Sequence, residues 1–334
     1  GQHIAVLLHD GNHGFVALEL VRTDTGERLI LDRFDGTEAL RIGVETGDFT
    51  SMVWLDAEHI AYAFSGMSWP KAYGKVWSTN LDGSEKHLLW SGPIHRILGA
   101  STDQQTLYVT RAIPMPTGWL EEGFALLNVQ SGTLESLWPK EDNPAQEYKH
   151  FTLVTLPDGS LRLLFVAAKR EMSLATEPPV IWLASPESRQ ADAVWTVTSG
   201  RALESPEGHV TFSYDLPLDL FWSPTSVHEL VFLAHASAPG GVWRVDLEAK
   251  SVDRVPAPED VHRRLLAWMA QGIVTQSGNS ISLLDQTGAV KGEISFSESG
   301  VTTLGIQKVN WPVPYIHQTI DVPPWFDGHW ACGP

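Results

Sequence analysis

The fold is decided by a segment that reads VWSTNLDGSEKHLLW, residues 76–90. Apolar residues lie on both sides of the turn-forming tetrapeptide Asn80-Leu81-Asp82-Gly83: Val76 and Trp77 precede it, and Leu88, Leu89 and Trp90 follow it. Two short strand-like runs joined by an Asp-Gly turn predict a β-hairpin. The second run ends at Trp90, and an aromatic residue there suits packing against a neighbouring sheet.

The same hairpin pattern recurs six times, which predicts a repeat architecture. Another pair of short strands precedes five of the hairpins, so each unit contains four antiparallel strands, which we name a to d from the centre outward. The hairpins of strands c and d span residues 16–31, 76–90, 124–138, 180–195, 242–255 and 281–294. The pairs of strands a and b span residues 49–64, 96–110, 151–167, 218–234 and 265–276.

Serial four-stranded units predict an all-β fold, a six-bladed β-propeller over residues 1–309. The first unit lacks strand a, and Val301 to Val309 is an apolar strand without a partner. We expect this C-terminal strand, 301–309, to supply strand a of the first blade and to close the ring, which removes long sheet edges. The alternative is seven blades, with the stretch between Thr198 and Leu216 used for another blade.

Residues 1–309 resemble TolB-like and WD-type propellers in their blade pattern and turn residues. The resemblance implies a binding function and favours an extracytoplasmic location, secreted or in the cell envelope. Gly1 stands where an initiator Met would be expected, so we expect an N-terminal signal to have been removed. Because one fold hosts many functions, the resemblance does not identify the ligand.

Composition narrows the choice of partners. Asp and Glu outnumber Lys and Arg by 40 to 23, and the net charge of −17 would repel nucleic acid and anionic lipid. No apolar run approaches the ~18 residues of a membrane span. The single cysteine, Cys332, excludes an internal disulfide and a Cys-rich zinc cluster. His9 and His13 flank a turn, so we predict no metal site, and we expect no cofactor.

The repeat stops after Val309. Residues 310–318 read NWPVPYIHQ, and residues 321–334 read DVPPWFDGHWACGP. A Pro-Tyr-x-x-Gln element followed by Ala-Cys-Gly-Pro resembles the start of a papain-like cysteine peptidase domain of the bacteriocin-processing type. The resemblance implies that Cys332 is the nucleophile, at the start of a helix whose dipole would favour the thiolate. It also implies that Gln318 helps to form the oxyanion hole.

No His or Asp follows Cys332, so we do not expect this chain alone to be an active peptidase. We expect a propeller that presents substrate within a larger cysteine-peptidase-like protein, with residues 310–334 as a linker and the first segment of the peptidase domain. The alternative is a free-standing protein-interaction propeller of an envelope assembly, in which Cys332 has no catalytic role.

Insertions between strands b and c predict the binding surface, because these connections emerge on one face of a propeller. They span Ser65–Lys75, Arg111–Gly123, Lys169–Pro179 and His235–Gly241. They carry aromatic and charged residues typical of recognition surfaces, namely Met67, Trp69, Tyr73, Arg111, Met115, Trp119, Glu121, Glu122, Lys169 and Arg170. The expected partners are a protein or peptide, with a glycan as another option, and the C-terminal peptidase domain.

Overall fold

The computed structural model describes the strand-rich part of the chain. The described residues are 3–10, 15–22, 25–35, 46–68, 71–115, 118–138, 146–156, 158–171, 174–175, 177–198, 200–204, 210–214, 217–234, 241–256, 264–277, 280–285, 287–295, 304–305 and 328–332. All regular secondary structure in these residues is β-strand, which confirms the predicted all-β class. The chain divides into unit 1, residues 1–140 and 297–334, and unit 2, residues 141–296.

Unit 1 contains strands from both ends of the sequence, and unit 2 contains the strands of the middle part of the sequence. The strands in chain order are β1 (His3–Asp10), β2 (Phe15–Arg22), β3 (Arg28–Asp35), β4 (Thr46–Trp54), β5 (His59–Ser68), β6 (Lys71–Asn80), β7 (His87–Ser91), β8 (Arg96–Ala100), β9 (Thr106–Met115), β10 (Gly118–Asn128), β11 (Leu134–Trp138), β12 (Gln146–Thr155), β13 (Leu161–Glu171), β14 (Leu174–Ala175), β15 (Val180–Ser185), β16 (Gln190–Thr196), β17 (Gly200–Glu204), β18 (Val210–Tyr214), β19 (Pro217–Trp222), β20 (Glu229–Ala234), β21 (Gly241–Asp246), β22 (Ser251–Val255), β23 (Arg264–Met269), β24 (Gly272–Ser277), β25 (Ser280–Leu284), β26 (Val290–Ser295), β27 (Leu304–Gly305) and β28 (Gly328–Cys332).

The predicted four-stranded antiparallel meander is the repeating element of both units. In unit 1 the sheet orders are β27-β28-β1-β2-β3, β4-β5-β6-β7 and β8-β9-β10-β11. In unit 2 they are β12-β13-β15-β16 with β14 on β13, β17-β18, β19-β20-β21-β22 and β23-β24-β25-β26. The number of blades and the closure of a ring stay predictions.

One sequence-based assignment of strand pairing differs from the structure. The strand that pairs with β1 is β28, through Ile4 and Cys332, and not residues 301–309. Of residues 301–309, the described pair Leu304–Gly305 lies parallel to β28 instead. The exposed N–H and C=O groups of the β1 edge require a partner strand, and β28 satisfies them from further along the chain. The stretch 198–216 contains the hairpin β17–β18, which forms a two-stranded sheet in the described residues.

Alternation along the central strands builds the core between neighbouring sheets. In β5, Tyr62 and Phe64 pack with Leu18 and Phe34 of the first sheet. The intervening Ala61 and Ala63 pack with residues of β8 and β9 in the third sheet. Unit 2 uses the same rule in β19, where Leu220 and Trp222 join one cluster and Phe221 joins another. Strands buried on both faces therefore connect successive sheets of each unit.

A β-bulge in the first strand of a four-stranded sheet provides a second connection in each unit. In β4 the bulge falls between Phe49 and Ser51, and in β8 it falls between Ile97 and Gly99. The hydroxyl of Ser51 accepts the backbone N–H of Ile97 at 2.6 Å. The equivalent bond in unit 2 joins the Asp219 carboxylate, after the bulge of β19, to the N–H of Leu265, before the bulge of β23, at 3.0 Å.

Aspartate side chains stabilise the a–b and c–d turns, which lie at the end of the strands opposite the b–c connections. The carboxylates of Asp82, Asp158 and Asp285 each accept the backbone N–H two residues further on, at 2.8 Å. Gly83 completes one such turn with a φ of +74°, in the left-handed region that glycine tolerates. These Asx turns explain the Asp-Gly pairs at Asp82 and Asp158 and the Asp-Gln-Thr-Gly segment at Asp285.

Ser51→Ala is expected to destabilise unit 1 by about 1–3 kcal/mol, because it leaves the buried N–H of Ile97 without its acceptor. Urea unfolding and amide exchange at Ile97 measure the effect. Ser188→Ala, at an exposed turn position, is the control and should change stability by less than about 0.5 kcal/mol. Equal effects of the two substitutions would contradict a connecting role for Ser51.

Stability should fall in acid through the turn aspartates. Hydrogen bonds from Ser160 and Thr287 to the ionised carboxylates hold the pKa values of Asp158 and Asp285 below their ordinary value of 3.8. The folded state then binds fewer protons than the unfolded state, so this stabilisation is complete above about pH 5 and is lost as the pH falls below the ordinary value.

The double variant Asp158→Asn and Asp285→Asn tests this expectation. An amide oxygen still accepts the turn hydrogen bonds but does not titrate, so the variant should lose less Tm than the parent chain between about pH 6 and pH 2.5. Parallel Tm curves for the two proteins would show that these turns do not contribute to acid sensitivity.

Candidate functional site

The hairpin β9–β10 extends beyond the sheet that carries it. The last pair between β8 and β9 is Arg96 with Thr110, and β11 reaches β10 at Phe124. Beyond these points β9 and β10 continue to pair with each other alone in the described residues, as far as Met115 with Gly118. We call residues 111–123 the β9–β10 arm.

Most of the predicted binding residues of the third sheet lie on this arm. Arg111 pairs with Gly123, Trp119 pairs with Pro114, and Glu122 occupies the bulge between Glu121 and Gly123. Met115 is at the end of β9. The sequence predicted a loop insertion here, and the structure shows paired strands instead. Each added residue pair extends the hydrogen-bond ladder that strands b and c already share, which favours strand over loop.

The insertion of the second sheet is also strand rather than loop. Met67 pairs with Ala72, and Tyr73 pairs with Gly66. Trp69, the predicted anchor of this hairpin, lies outside the described residues. An aromatic residue opposite a glycine compensates for the missing side chain, which explains how β5 and β6 continue through Gly66.

The remaining predicted residues lie elsewhere in the fold. Lys169 and Arg170 belong to β13 in unit 2, where they pair with Gln146 and Ala175. Residues 235–240 and Gln318 lie outside the described residues. Cys332 is the last residue of β28 and pairs with Ile4. The structure therefore gives Cys332 a strand position, whereas the sequence predicted the start of a helix.

A second group of side chains, which we call the lysine–aromatic face, lies on β6 and the turn after it. It consists of Tyr73, Lys75 and Trp77, at alternate positions of one strand, and Lys86. The Lys75 ammonium lies 5.3 Å from the ring centroid of Tyr73 and 5.6 Å from that of Trp77. The Lys86 ammonium lies 4.7 Å from the Trp77 centroid. Cations at these distances are attracted to the faces of aromatic rings.

Asp32 connects this face to the first sheet. Its carboxylate accepts a hydrogen bond from the Tyr62 hydroxyl at 2.9 Å and one from Lys86 at 2.6 Å. Tyr62 is fully buried, and its burial, together with the negative charge of Asp32, raises the pKa of its hydroxyl strongly. The Tyr62 hydroxyl therefore stays protonated and keeps donating to Asp32 across the physiological pH range.

Buried aromatic residues of β5 hold the rings of Tyr73 and Trp77 in place. Trp77 stacks on Tyr62 at 5.4 Å between centroids, and Tyr73 meets the edge of Phe64 at 6.3 Å. Tyr73, Lys75 and Trp77 are each half-buried, so each keeps some surface for contact. The face is thus a rigid strand surface and not a set of free side chains.

Gly74 lets β6 approach the segment that follows β7. Its carbonyl accepts the N–H of Gly92 at 3.0 Å. A Cβ at position 74 would lie 2.5 Å from the Gly92 carbonyl oxygen and 2.7 Å from the Ile94 backbone nitrogen. Backbone atoms cannot move aside cheaply, so glycine at this position fixes the placement of its neighbours Tyr73 and Lys75.

Sequence reasoning missed Lys75 and Lys86, and it assigned Trp77 to packing alone. The alternation Tyr73-x-Lys75-x-Trp77 was the available signal, because alternate residues of a strand share a face. Lys86 could not be found in this way, since it approaches Trp77 from a turn nine residues along the chain.

The described residues bring no three His, Cys, Asp or Glu side chains together in an arrangement that could hold a metal ion. They also contain no helix with the length and apolar composition needed to span a membrane.

No protein-family model matches the chain, and a search of curated proteins gave no significant match. Among solved structures it is similar to an outer coat vertex protein of COPII on membranes, with a TM-score of 0.51 and 11% identity over 86% of this chain and 69% of that one. It is also similar to an oligogalacturonate lyase in complex with manganese, with a TM-score of 0.50 and 12% identity over 72% of this chain and 61% of the lyase. TolB from Acinetobacter baumannii gives a TM-score of 0.45 and 13% identity over 89% of this chain and 65% of TolB.

The likenesses to the coat protein and the lyase concern the fold alone, and they indicate a β-propeller. The chain spans less than two thirds of the length of the lyase and of TolB. The class defined by fold and site is therefore a β-propeller fold whose first unit carries a protruding hairpin arm and a lysine–aromatic face.

Gly74→Ala is expected to destabilise unit 1 by about 3 kcal/mol, because the new Cβ would overlap backbone atoms of Gly92 and Ile94. Gly292→Ala is the matched control, since a Cβ at position 292 on β26 would meet nothing within 4 Å. Thermal and urea unfolding of both variants provide the measurement. A Gly74→Ala protein as stable as Gly292→Ala would contradict the close approach.

Proposed function

We propose that the β-propeller is a non-catalytic module that binds and presents substrate in a larger cysteine-peptidase-like protein. The observation that carries the binding role is the β9–β10 arm. It continues as two strands past its sheet, as far as Met115 and Gly118. Two-stranded ribbons are marginally stable alone, so an arm of this length is better suited to contact with another molecule than to stabilising its own sheet.

The chemistry of the arm supports recognition of a polypeptide. Its backbone edges carry N–H and C=O groups that an extended segment can pair with. Its sequence supplies Arg111, Met115 and Trp119, which are residue types enriched at protein interfaces, and it also carries Glu121 and Glu122. In the first sheet the charge of Asp32 serves a structural contact with Tyr62 and Lys86. A presenting role accordingly fits unit 1 better than a catalytic one.

The peptidase part of the proposal rests on the resemblance of residues 310–334. In that scheme the Cys332 thiolate attacks a peptide carbonyl, Gln318 donates to the oxyanion, and a His with an Asp or Asn from the peptidase domain moves the proton to the leaving amine. An extracytoplasmic location belongs to the same proposal. Presentation by the propeller would then supply binding energy remote from the reacting bond.

The test uses the product of the complete reading frame, whose intact mass is first compared with the 36.8 kDa of this chain. The proposal expects a larger product that cleaves labelled casein in a thiol-dependent manner and loses this activity in Cys332→Ala. A product without thiol-dependent cleavage would remove the peptidase part.

Shortening the arm separates binding from catalysis. Residues 113–120 are replaced by Asn-Gly, which joins Ala112 to Glu121 as a two-residue hairpin. We expect KM for casein to rise about fivefold with kcat unchanged, and no change for a short internally quenched peptide that cannot reach the arm. Leu88→Ser, an exposed position on β7, is the control. Equal losses on both substrates would show that the arm acts only through stability.

The alternative is a free-standing protein-interaction propeller of an envelope assembly. The placement of Cys332 in β28, paired with β1, favours this alternative, because it gives the C-terminal segment a structural role. It predicts a complete gene product of about the present mass and no thiol-dependent cleavage. The two measurements above therefore separate the two functions.

A further inference from the structure

We propose that the lysine–aromatic face binds an extended peptide in which an acidic residue is flanked, two positions away on each side, by apolar residues. The proposal rests on the binding function above and names the chemistry of one partner segment. It concerns a different surface, because the lysine–aromatic face lies on β6 and not on the β9–β10 arm.

Lys75 provides the charge that selects an acidic residue. Among the described residues, its ammonium contacts the rings of Tyr73 and Trp77, and no carboxylate of these residues forms an ion pair with it. Lys86, in contrast, is neutralised by Asp32 at 2.6 Å. A half-buried cation without a counter-ion is unusual in a chain with a net charge of −17. A bound carboxylate would provide the missing partner in a partly desolvated site, where such pairs are stronger than in water.

The spacing of the three residues selects an extended peptide. Tyr73, Lys75 and Trp77 are alternate residues of β6 and are therefore about 7 Å apart along one face. An extended peptide also repeats its side chains every two residues, with the same spacing. Its acidic side chain can lie over Lys75 while the side chains two positions away meet Tyr73 and Trp77.

The arrangement of the rings favours peptide side chains over a sugar. Stacking of a sugar requires an open ring face, but Trp77 stacks on Tyr62 and has two ammonium groups within 6 Å of its centroid. Tyr73 and Trp77 pack against the core cluster of the first and second sheets, and each keeps part of its surface exposed for apolar side chains. The rings are already held by Tyr62 and Phe64, so little side-chain entropy is lost on binding.

The test measures binding of a fluorescein-labelled, N-acetylated peptide Ser-Leu-Ser-Glu-Ser-Phe-Ser to the full chain by fluorescence anisotropy. Lys75→Glu should raise Kd about tenfold, because it replaces an attraction by a repulsion, and Lys75→Arg should retain binding. Lys291→Glu, an exposed lysine of β26 in unit 2, makes the same charge change outside the lysine–aromatic face. It should alter Kd by less than about twofold.

A charge-swapped peptide, with Lys in place of Glu, makes the test specific. It should bind Lys75→Glu more tightly than the parent chain, which a loss of folding in the variant could not produce. The inference is overturned if the parent chain does not bind the acidic peptide, if Lys75→Glu and Lys291→Glu weaken it equally, or if the swap gives no recovery.

Two further outcomes are distinguished by the same variants. An oligosaccharide of glucuronic acid that binds in a Lys75-dependent manner, where the peptide does not, would assign the face to an acidic glycan and overturn the proposal. Failure of the proposed function is read separately, from the KM of the arm-shortened protein. Peptide binding at Lys75 can therefore fail while the arm still presents substrate, and the reverse also holds.

Discussion

In each unit one pair of neighbouring sheets is connected through a backbone N–H in the first strand of the later sheet. The β-bulge in these strands turns one N–H away from its own ladder, and a buried N–H without an acceptor costs about 1–3 kcal/mol. Ser51 supplies the acceptor for Ile97, and Asp219 supplies it for Leu265. Where β12 meets β19 the residue before the bulge is Pro217, which has no N–H and requires no acceptor. The residue that accepts this hydrogen bond therefore differs from one pair of sheets to the next, while the alternating core around it stays the same.

The meander could be predicted from the sequence because its signals are local. Alternation of apolar and polar residues indicates the strands, and the Asp-Gly pairs at Asp82 and Asp158 indicate the turns between them. The partner of β1 could not be predicted. Residues 301–309 and 328–332 can each form a short strand, and the local sequence pattern does not determine which of them pairs with β1. The hairpin arms were mistaken for loops because Gly, Pro and Met interrupt the alternation, although the ladder between strands b and c continues through them. Nonlocal pairing decided each of these cases.

The candidate site shows the same division between local and nonlocal information. Aromatic and charged residues near the ends of b–c hairpins were visible in the sequence, and Tyr73 was found for that reason. The pairing of Lys86 with Asp32, and the position of both beside Tyr62 and Trp77, depends on contact between the first and second sheets. In the second and third sheets the two ends of the meander also differ. Asx turns hold one end, while the b–c end extends into an arm, so the added residues lie where they disturb the core least.

The two lysines beside Trp77 differ in a way that bears on function. Lys86 has a carboxylate at 2.6 Å and a ring, so its charge is balanced within the fold. In the part of the chain that the structure describes, Lys75 contacts two rings and no carboxylate, and a ring attracts a cation without neutralising it. If packing were the only requirement, an apolar side chain between Tyr73 and Trp77 would bury as much surface without the cost of partly desolvating an ammonium group. Keeping a charge at position 75 is physically favourable when an anion from outside the chain completes the site, and the strand spacing of its neighbours then decides the shape that this anion must have.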